Sequence, residues 1–208
     1  MKKILSELKT PFLATFVFII ICGLFYPLLI TGLGQLIFPQ QANGSQIKLN
    51  GKVVGSSLIG QEFTDTRFMK GRPSAVNYNT YTAAQKADGT YKGVASGSQN
   101  LAPSNPELKT RIEKDMASFL QANPAIKKSQ IPTDLMTSSA SGLDSEISPA
   151  SAEIQIPELV KTTGISKDNL QQIVNKNTQN RQLGFLGEPT VNVLGVNIAI
   201  AEKLNLIH

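Results

Sequence analysis

The chain has 208 residues, a formal net charge of +5 and 17% charged residues, below the roughly one quarter usual for soluble domains. One cysteine, Cys22, and one histidine, the terminal His208, exclude an internal disulfide and a cysteine-based zinc site. The four arginines, Arg67, Arg72, Arg111 and Arg181, are scattered and no nucleic-acid motif occurs, so the sequence points away from nucleic acid as a partner.

The first element is "PFLATFVFIIICGLFYPLLITGLGQLIF", residues 11–38. No charge occurs between Lys9 and Lys48, and the run far exceeds the ~18 apolar residues that mark a membrane span. As a helix it reaches about 40 Å, more than a hydrocarbon core of ~30 Å, so tilt or protrusion is expected. Pro27 lies inside the run and lacks an N–H, which predicts a kink. Gly23, Gly32 and Gly34 offer small surfaces for a neighbouring helix. No small-residue cleavage site ends the run, so it reads as a retained anchor rather than a signal peptide. Lys2, Lys3 and Lys9 precede it, which places the N-terminus in the cytoplasm. Residues 1–10 then form a cytoplasmic N-terminus, 11–38 the transmembrane helix, and 39–208 an extracytoplasmic domain, with the lipid bilayer as one partner of the chain.

Beyond Pro39 the pattern is globular. "QIKLNGKVVG" alternates around Asn50-Gly51 and predicts a hairpin with a type I′ turn. Leu58, Ile59 and Phe63 read as core. Residues 71–106 are rich in Gly, Ser, Asn, Pro and Tyr and form a long, weakly periodic loop. Such a loop reads first as partner-contacting, with Arg72, Asn77, Tyr78, Asn100, Ser104 and Asn105 as candidates for partner contact or for ordering the loop.

Helical spacing returns at Leu108, Ile112, Met116, Phe119 and Leu120, with Ser104 and Glu107 as a capping box and Asn123-Pro124 as a stop. Ser148 and Pro149 start a second helix, which Pro157 kinks or divides. Ser166 caps a third helix, bearing Leu170, Ile173 and Val174. Thr190 to Leu194 reads as a buried strand leading into a C-terminal helix. The fold class is α+β: one N-terminal transmembrane helix and a mixed α/β outer domain.

The stretch "SASGLDSEISPASA", residues 139–152, gathers serines beside Asp144 and Glu146. A Ser-His-Asp triad needs a histidine within reach, and His208 is terminal. A Ser-Lys dyad lacks its supporting motifs. No phosphate-binding loop occurs, and the metal ligands are too few. Gly142 reads as a turn, Asp144 as a backbone-bonding loop residue, and Ser148-Pro149 as a helix start. An anchored serine hydrolase using Ser139, Ser141 or Ser148 with Asp144 is the alternative. An anchored solute-binding protein, with the long loop as its cover, is a third.

Several motifs together resemble the C subunit of the Kdp-type potassium-transporting ATPase. They are "FYPLLITGLGQLIFPQQANGS", "GSSLIGQEFT", "GRPSA", "SNPEL", "SASGLD…ISP" and "LGEPTVNVLGVNIAIAEKL", spread in order over nearly the whole chain. The resemblance implies a non-catalytic accessory subunit of an ATP-driven potassium importer. Its implied partners are a channel-like potassium-selecting subunit, a P-type ATPase subunit and a small fourth subunit. ATP and potassium would be handled by the complex, with no cofactor bound directly by this chain. It also implies stabilised assembly and a raised ATP affinity of the ATPase subunit, an effect that would have to cross the membrane allosterically. One departure is that Ser145 and Glu146 follow the Asp144 position, where many relatives carry Pro and His or Asn.

Overall fold

The computed structural model describes residues 2–91 and 93–207. His208 lies outside the described residues. The chain divides into two compact units at the Gln46–Ile47 junction.

The N-terminal unit is helical. Helix α1 spans Lys2–Ile20, and helix α2 spans Tyr26–Ile37. Between them Ile21–Phe25 forms a π turn, in which the Tyr26 N–H donates to the Ile21 carbonyl five residues back. The expected break at Pro27 is thus absorbed just upstream, where widening the ladder accommodates a residue without an N–H. The helical stretch Glu7–Ile37 contains an 18-residue window of mean hydropathy 2.6 and is long and apolar enough to cross a membrane. Its Phe, Leu and Ile side chains are exposed apart from the half-buried Ile20, and so is Cys22. A Cβ added at Gly32 would meet no atom within 4 Å, and at Gly23 or Gly34 only one at van der Waals distance. These glycines are not required by packing within the unit. Phe38, which precedes Pro39, leaves the helical region at φ −132°, as steric conflict with the proline ring demands. A short helix α3, Pro39–Ala42, follows.

The second unit opens with the hairpin β1 (Gln46–Leu49) and β2 (Lys52–Ser56). Asn50 and Gly51 take φ of 50° and 75°, the pair of positive angles a type I′ turn needs. Leu58 and Ile59 do not join the core as expected: they are 65% and 50% exposed, and only Phe63 packs against the core. Alternation near a hairpin predicts facing, but whether a face is covered depends on what folds over it.

The core assembles from the C-terminal half. A three-stranded antiparallel sheet has the order β3-β5-β4, with β3 Glu146–Ile147, β4 Thr178–Gln179 and β5 Thr190–Asn192. Val191 lies opposite Ile147 on one side and Thr178 on the other. Helix α6 (Pro149–Glu153) and helix α9 (Val193–Lys203) pack on β5. Helix α7 (Ile156–Thr163) packs on α8 (Lys167–Lys176). Met69, Ile156, Leu170, Val191, Val196 and Ile200 are at most 1% exposed and form the centre.

The local signals explain the helix boundaries. Ser148 accepts from the Ser151 N–H and Pro149 opens α6. Pro157 sits in the first turn of α7, so it divides the helical run instead of bending it. Gly164, at φ 72°, ends α7, and the Ser166 side chain caps α8. The expected strand 190–194 stops at Asn192, whose side chain accepts from the Gly195 N–H and so starts α9 two residues earlier.

The long loop 71–106 holds a 3₁₀ turn at Asn77–Asn79 and a short helix α4, Ala83–Ala87. Helix α5 then runs Pro106–Ala122 and ends at Asn123, before Pro124. Its N-cap is Asn105, which accepts from the Glu107 N–H, and not Ser104, which lies exposed in the preceding turn. Pro106 at the first helical position fixes the frame one residue later than the capping-box spacing suggests. Leu108, Ile112, Met116, Phe119 and Leu120 share one face as expected, but each is only half-buried.

Candidate functional site

The segment Ser139–Asp144 is where loops of the second unit meet. The Gly60 N–H donates to the Leu143 carbonyl at 2.8 Å, and the Gly97 N–H to the Ser141 carbonyl at 2.8 Å. Ser74 Oγ donates to the Gly142 carbonyl at 2.6 Å and accepts from the N–H of Tyr78 at 2.9 Å. Three loops distant in sequence are therefore tied to one short segment through its backbone.

Two positions in this junction admit only glycine. Gly142 has φ +67°, and a Cβ there would lie 2.8 Å from the Gly97 carbonyl oxygen and 2.8 Å from Val76 Cγ2. At Gly60 a Cβ would lie 2.2 Å from the Asp144 carbonyl oxygen and 2.6 Å from the Tyr78 ring. The turn expected at Gly142 is present, and it is also a site of close backbone approach.

Arg72, Tyr78 and Asp144 come together here. Arg72 Nη1 donates to Asp144 Oδ2 at 3.0 Å, and its other nitrogens face the Thr137 and Ser138 carbonyls at 3.4 and 3.5 Å. Asp144 Oδ1 accepts from the Glu146 N–H at 3.1 Å. Tyr78 donates its hydroxyl proton to the Arg72 carbonyl at 2.5 Å. Burial, then the neighbouring Asp144 carboxylate, push the Tyr78 hydroxyl up to about 12, while Arg72 acts in the opposite sense. Tyr78 is therefore a neutral donor at any physiological pH.

The backbone around Tyr78 is strained. Asn77, Tyr78 and Asn79 have φ of 50°, 49° and 55°. Asparagine tolerates the left-handed region; tyrosine does so at a cost of order 1 kcal/mol or more. Side-chain bonds hold the run in place. Asn77 donates to Thr80 Oγ1 at 2.6 Å, and Asn79 exchanges two bonds with the Ala95 backbone at 2.9 and 3.0 Å. Arg72, Ser74, Asn77 and Tyr78 line a polar hollow of about 250 Å³ with Glu62 and Asp115. Asn100, at φ 52°, lines a different hollow, with Arg111 and Thr137. Ser104 and Asn105 belong to the entry of α5. The six candidates thus fall into three places, not one.

Sequence reasoning missed Asp134. Its Oδ1 accepts from Ser151 Oγ at 2.6 Å and Ser148 Oγ at 3.1 Å, and its Oδ2 from the Ser148 N–H at 2.8 Å. Burial acts to raise this carboxyl, but its hydrogen bonds to Ser148, to Ser151 and to its own backbone together outweigh it and hold it below the ordinary range. The Ser148 hydroxyl is thereby committed to a helix cap and a carboxylate, the geometry of a structural anchor rather than of an activated nucleophile. Among the described residues no group of three or more His, Cys, Asp or Glu could hold a metal ion.

Two buried carboxamides were also missed. Asn197, 1% exposed, accepts from the Met69 N–H at 2.8 Å and donates to the Met69 carbonyl at 2.9 Å. Gln155 does the same for Lys70, at 2.8 and 3.1 Å. Together they hold an irregular segment in the core as a neighbouring strand would. "VNIAI" carries the only hint, a polar residue at a core-facing helical position.

A third hollow, of about 390 Å³ and mostly apolar, lies between α5 and the core, lined by Phe68, Phe119, Leu135, Met136 and Leu159. Lys70 lies on its margin, with its ammonium donating to the Phe63 and Asp65 carbonyls. Burial, the largest influence on it, lowers its pKa.

The family described as "K+-transporting ATPase, c chain" (KdpC) matches residues 8–202. A protein of Clostridium kluyveri named "Potassium-transporting ATPase KdpC subunit" is 59% identical over 208 residues, covering 100% of this chain and 99% of its own. A protein of the same name from Clostridioides difficile is 53% identical, covering 98% of this chain and 100% of its own. One from Caldanaerobacter subterraneus is 44% identical, covering 96% of each. The match runs through the apolar helix, the loop junction and the C-terminal core alike, and the chain belongs to the KdpC family.

Proposed function

We propose that this chain is a membrane-anchored, non-catalytic accessory subunit of an ATP-driven potassium importer. The observation that carries the reading is family membership over residues 8–202. The helix Glu7–Ile37 is the anchor, with its N-terminus cytoplasmic and the unit beyond it extracytoplasmic. Unfilled space beside Gly23, Gly32 and Gly34 supports packing against a helix of another subunit.

The partners are a channel-like potassium-selecting subunit, a P-type ATPase subunit and a small fourth subunit. Potassium and ATP are handled by those partners. The outer unit acts through its shape: a set of loops welded at Ser139–Asp144 offers a fixed surface instead of a reactive one. Any gain in ATP affinity is a coupling transmitted through the span or the partner subunits.

The test is purification of the complex in detergent from cells that lack this chain. Loss of co-purification among the remaining subunits, or of their potassium-stimulated ATP hydrolysis, is expected. An intact and fully active complex without the chain would sink the reading.

A further inference from the structure

The connection between β4 and β5 projects as a finger. The chain runs outward beyond the ladder that pairs Thr178 with Val191 and Gln179 with Thr190. Two residues further along each arm, the side chains of Arg181 and Glu188 meet, with Nη2 donating to Oε2 at 2.6 Å. Gln182 and Leu186 then exchange both backbone bonds at 2.9 Å. This last pairing is displaced by one residue, and Gly187, at φ 77°, is the bulge that absorbs the displacement. Leu183-Gly184-Phe185 is the tip.

The chemistry of the tip does not serve the fold. Leu183 is 83% exposed, Phe185 68% and Leu186 48%. Leu183 also takes φ 53°, a conformation unfavourable for leucine, and receives no burial in return. Glycine or asparagine would hold the same turn with less strain and better solubility. A closed, hydrogen-bonded hairpin that presents three large apolar side chains is a preorganised anchor.

We infer that the 181–188 finger inserts Leu183, Phe185 and Leu186 into an apolar pocket on another subunit of the transporter. The inference rests on the accessory-subunit reading above. Charge and composition favour a protein pocket over the bilayer. The only base on the finger, Arg181, is paired with Glu188, which leaves no free cation for lipid headgroups, and the tip carries neither Trp nor Tyr, the residues enriched at membrane interfaces. The rigid register likewise suits a shaped pocket better than a fluid surface.

The experiment uses the full chain in its complex. Phe185→benzoylphenylalanine is irradiated in membranes, and the cross-linked product is identified by mass. A cross-link to another subunit is expected; a cross-link to lipid, to a second copy of this chain, or no cross-link overturns the inference. In parallel, Phe185→Ser and Leu183→Asn are expected to leave the complex at least roughly tenfold faster than the parent chain. Leu183→Asn should at the same time keep or raise the Tm of the full chain purified alone in detergent, which separates docking from folding. Parent-like retention of both variants overturns the finger and leaves the accessory reading intact. A complex that is intact without the chain removes the accessory reading whatever the finger does.

Discussion

Gly142 shows how much one residue decides. Its positive φ and its approach to the Gly97 carbonyl both exclude a side chain. Gly142→Ala is expected to cost about 2–3 kcal/mol, read as a lowered denaturation midpoint, because strain and a backbone clash act together. Asp134 predicts a pH dependence. Its folded pKa is depressed, so its contribution is present at neutral pH and above the unfolded value near 4. It is lost as pH falls through the lower folded value. Asp134→Ala should therefore remove about 1.5–3 kcal/mol at pH 7 and flatten the acid limb of the stability curve below about pH 4. Tyr78 has the opposite sign. Its pKa is raised to about 12, so its contribution holds below pH 10 and is lost as pH rises toward the folded value. In an ultraviolet titration, Tyr78→Phe should delete the tyrosinate component with a midpoint near pH 12.

At the scale of elements, the core segment Met69–Lys70 is a strand substitute. It has no sheet partner and instead bonds to Asn197 on α9 and to Gln155 just before α7. Asn197→Leu fills the space but leaves the Met69 N–H and carbonyl unpaired in the core. A loss of about 2–5 kcal/mol is expected by chemical denaturation, larger than for truncating an exposed apolar residue such as Leu58. Helix α5 is the counterpart. It is fixed by its Asn105 cap, an Arg111–Asp115 pair at 2.8 Å and an Arg111 bond to the Met136 carbonyl. Its apolar face is only half-covered and borders the large apolar hollow. Asn105→Ala should cost about 1 kcal/mol, whereas Ser104→Ala should be nearly silent.

For the whole molecule, two materials share one chain. The first unit is built on an apolar helix whose large side chains are almost all exposed from Leu8 to Ile37, long and apolar enough to cross a membrane. The second is a small α+β unit whose buried centre draws mainly on the C-terminal half, together with Met69. The loops around Gly60, Ser74 and Gly97 are held by hydrogen bonds to the backbone of Ser141, Gly142 and Leu143. Such an arrangement resists change at the junction while leaving long surface segments free to meet partners.

The sequence by itself determined the apolar helix, the Asn50-Gly51 hairpin, the caps at Ser148 and Ser166, and the helix stop at Asn123. Each of these is a local matter of hydropathy, φ preference or a side chain reaching its own backbone. The family was also legible, through motifs in order. Tertiary structure alone decided that Leu58 and Ile59 stay outside, that Asp134 holds Ser148, and that Asn197 grips Met69. It alone brought Arg72 and Tyr78 to Asp144 while leaving Asn100 and Asn105 elsewhere. Those contacts join residues up to 128 positions apart. No periodicity or turn preference encodes such a pairing, because the energy that selects it exists only once the chain has closed around it.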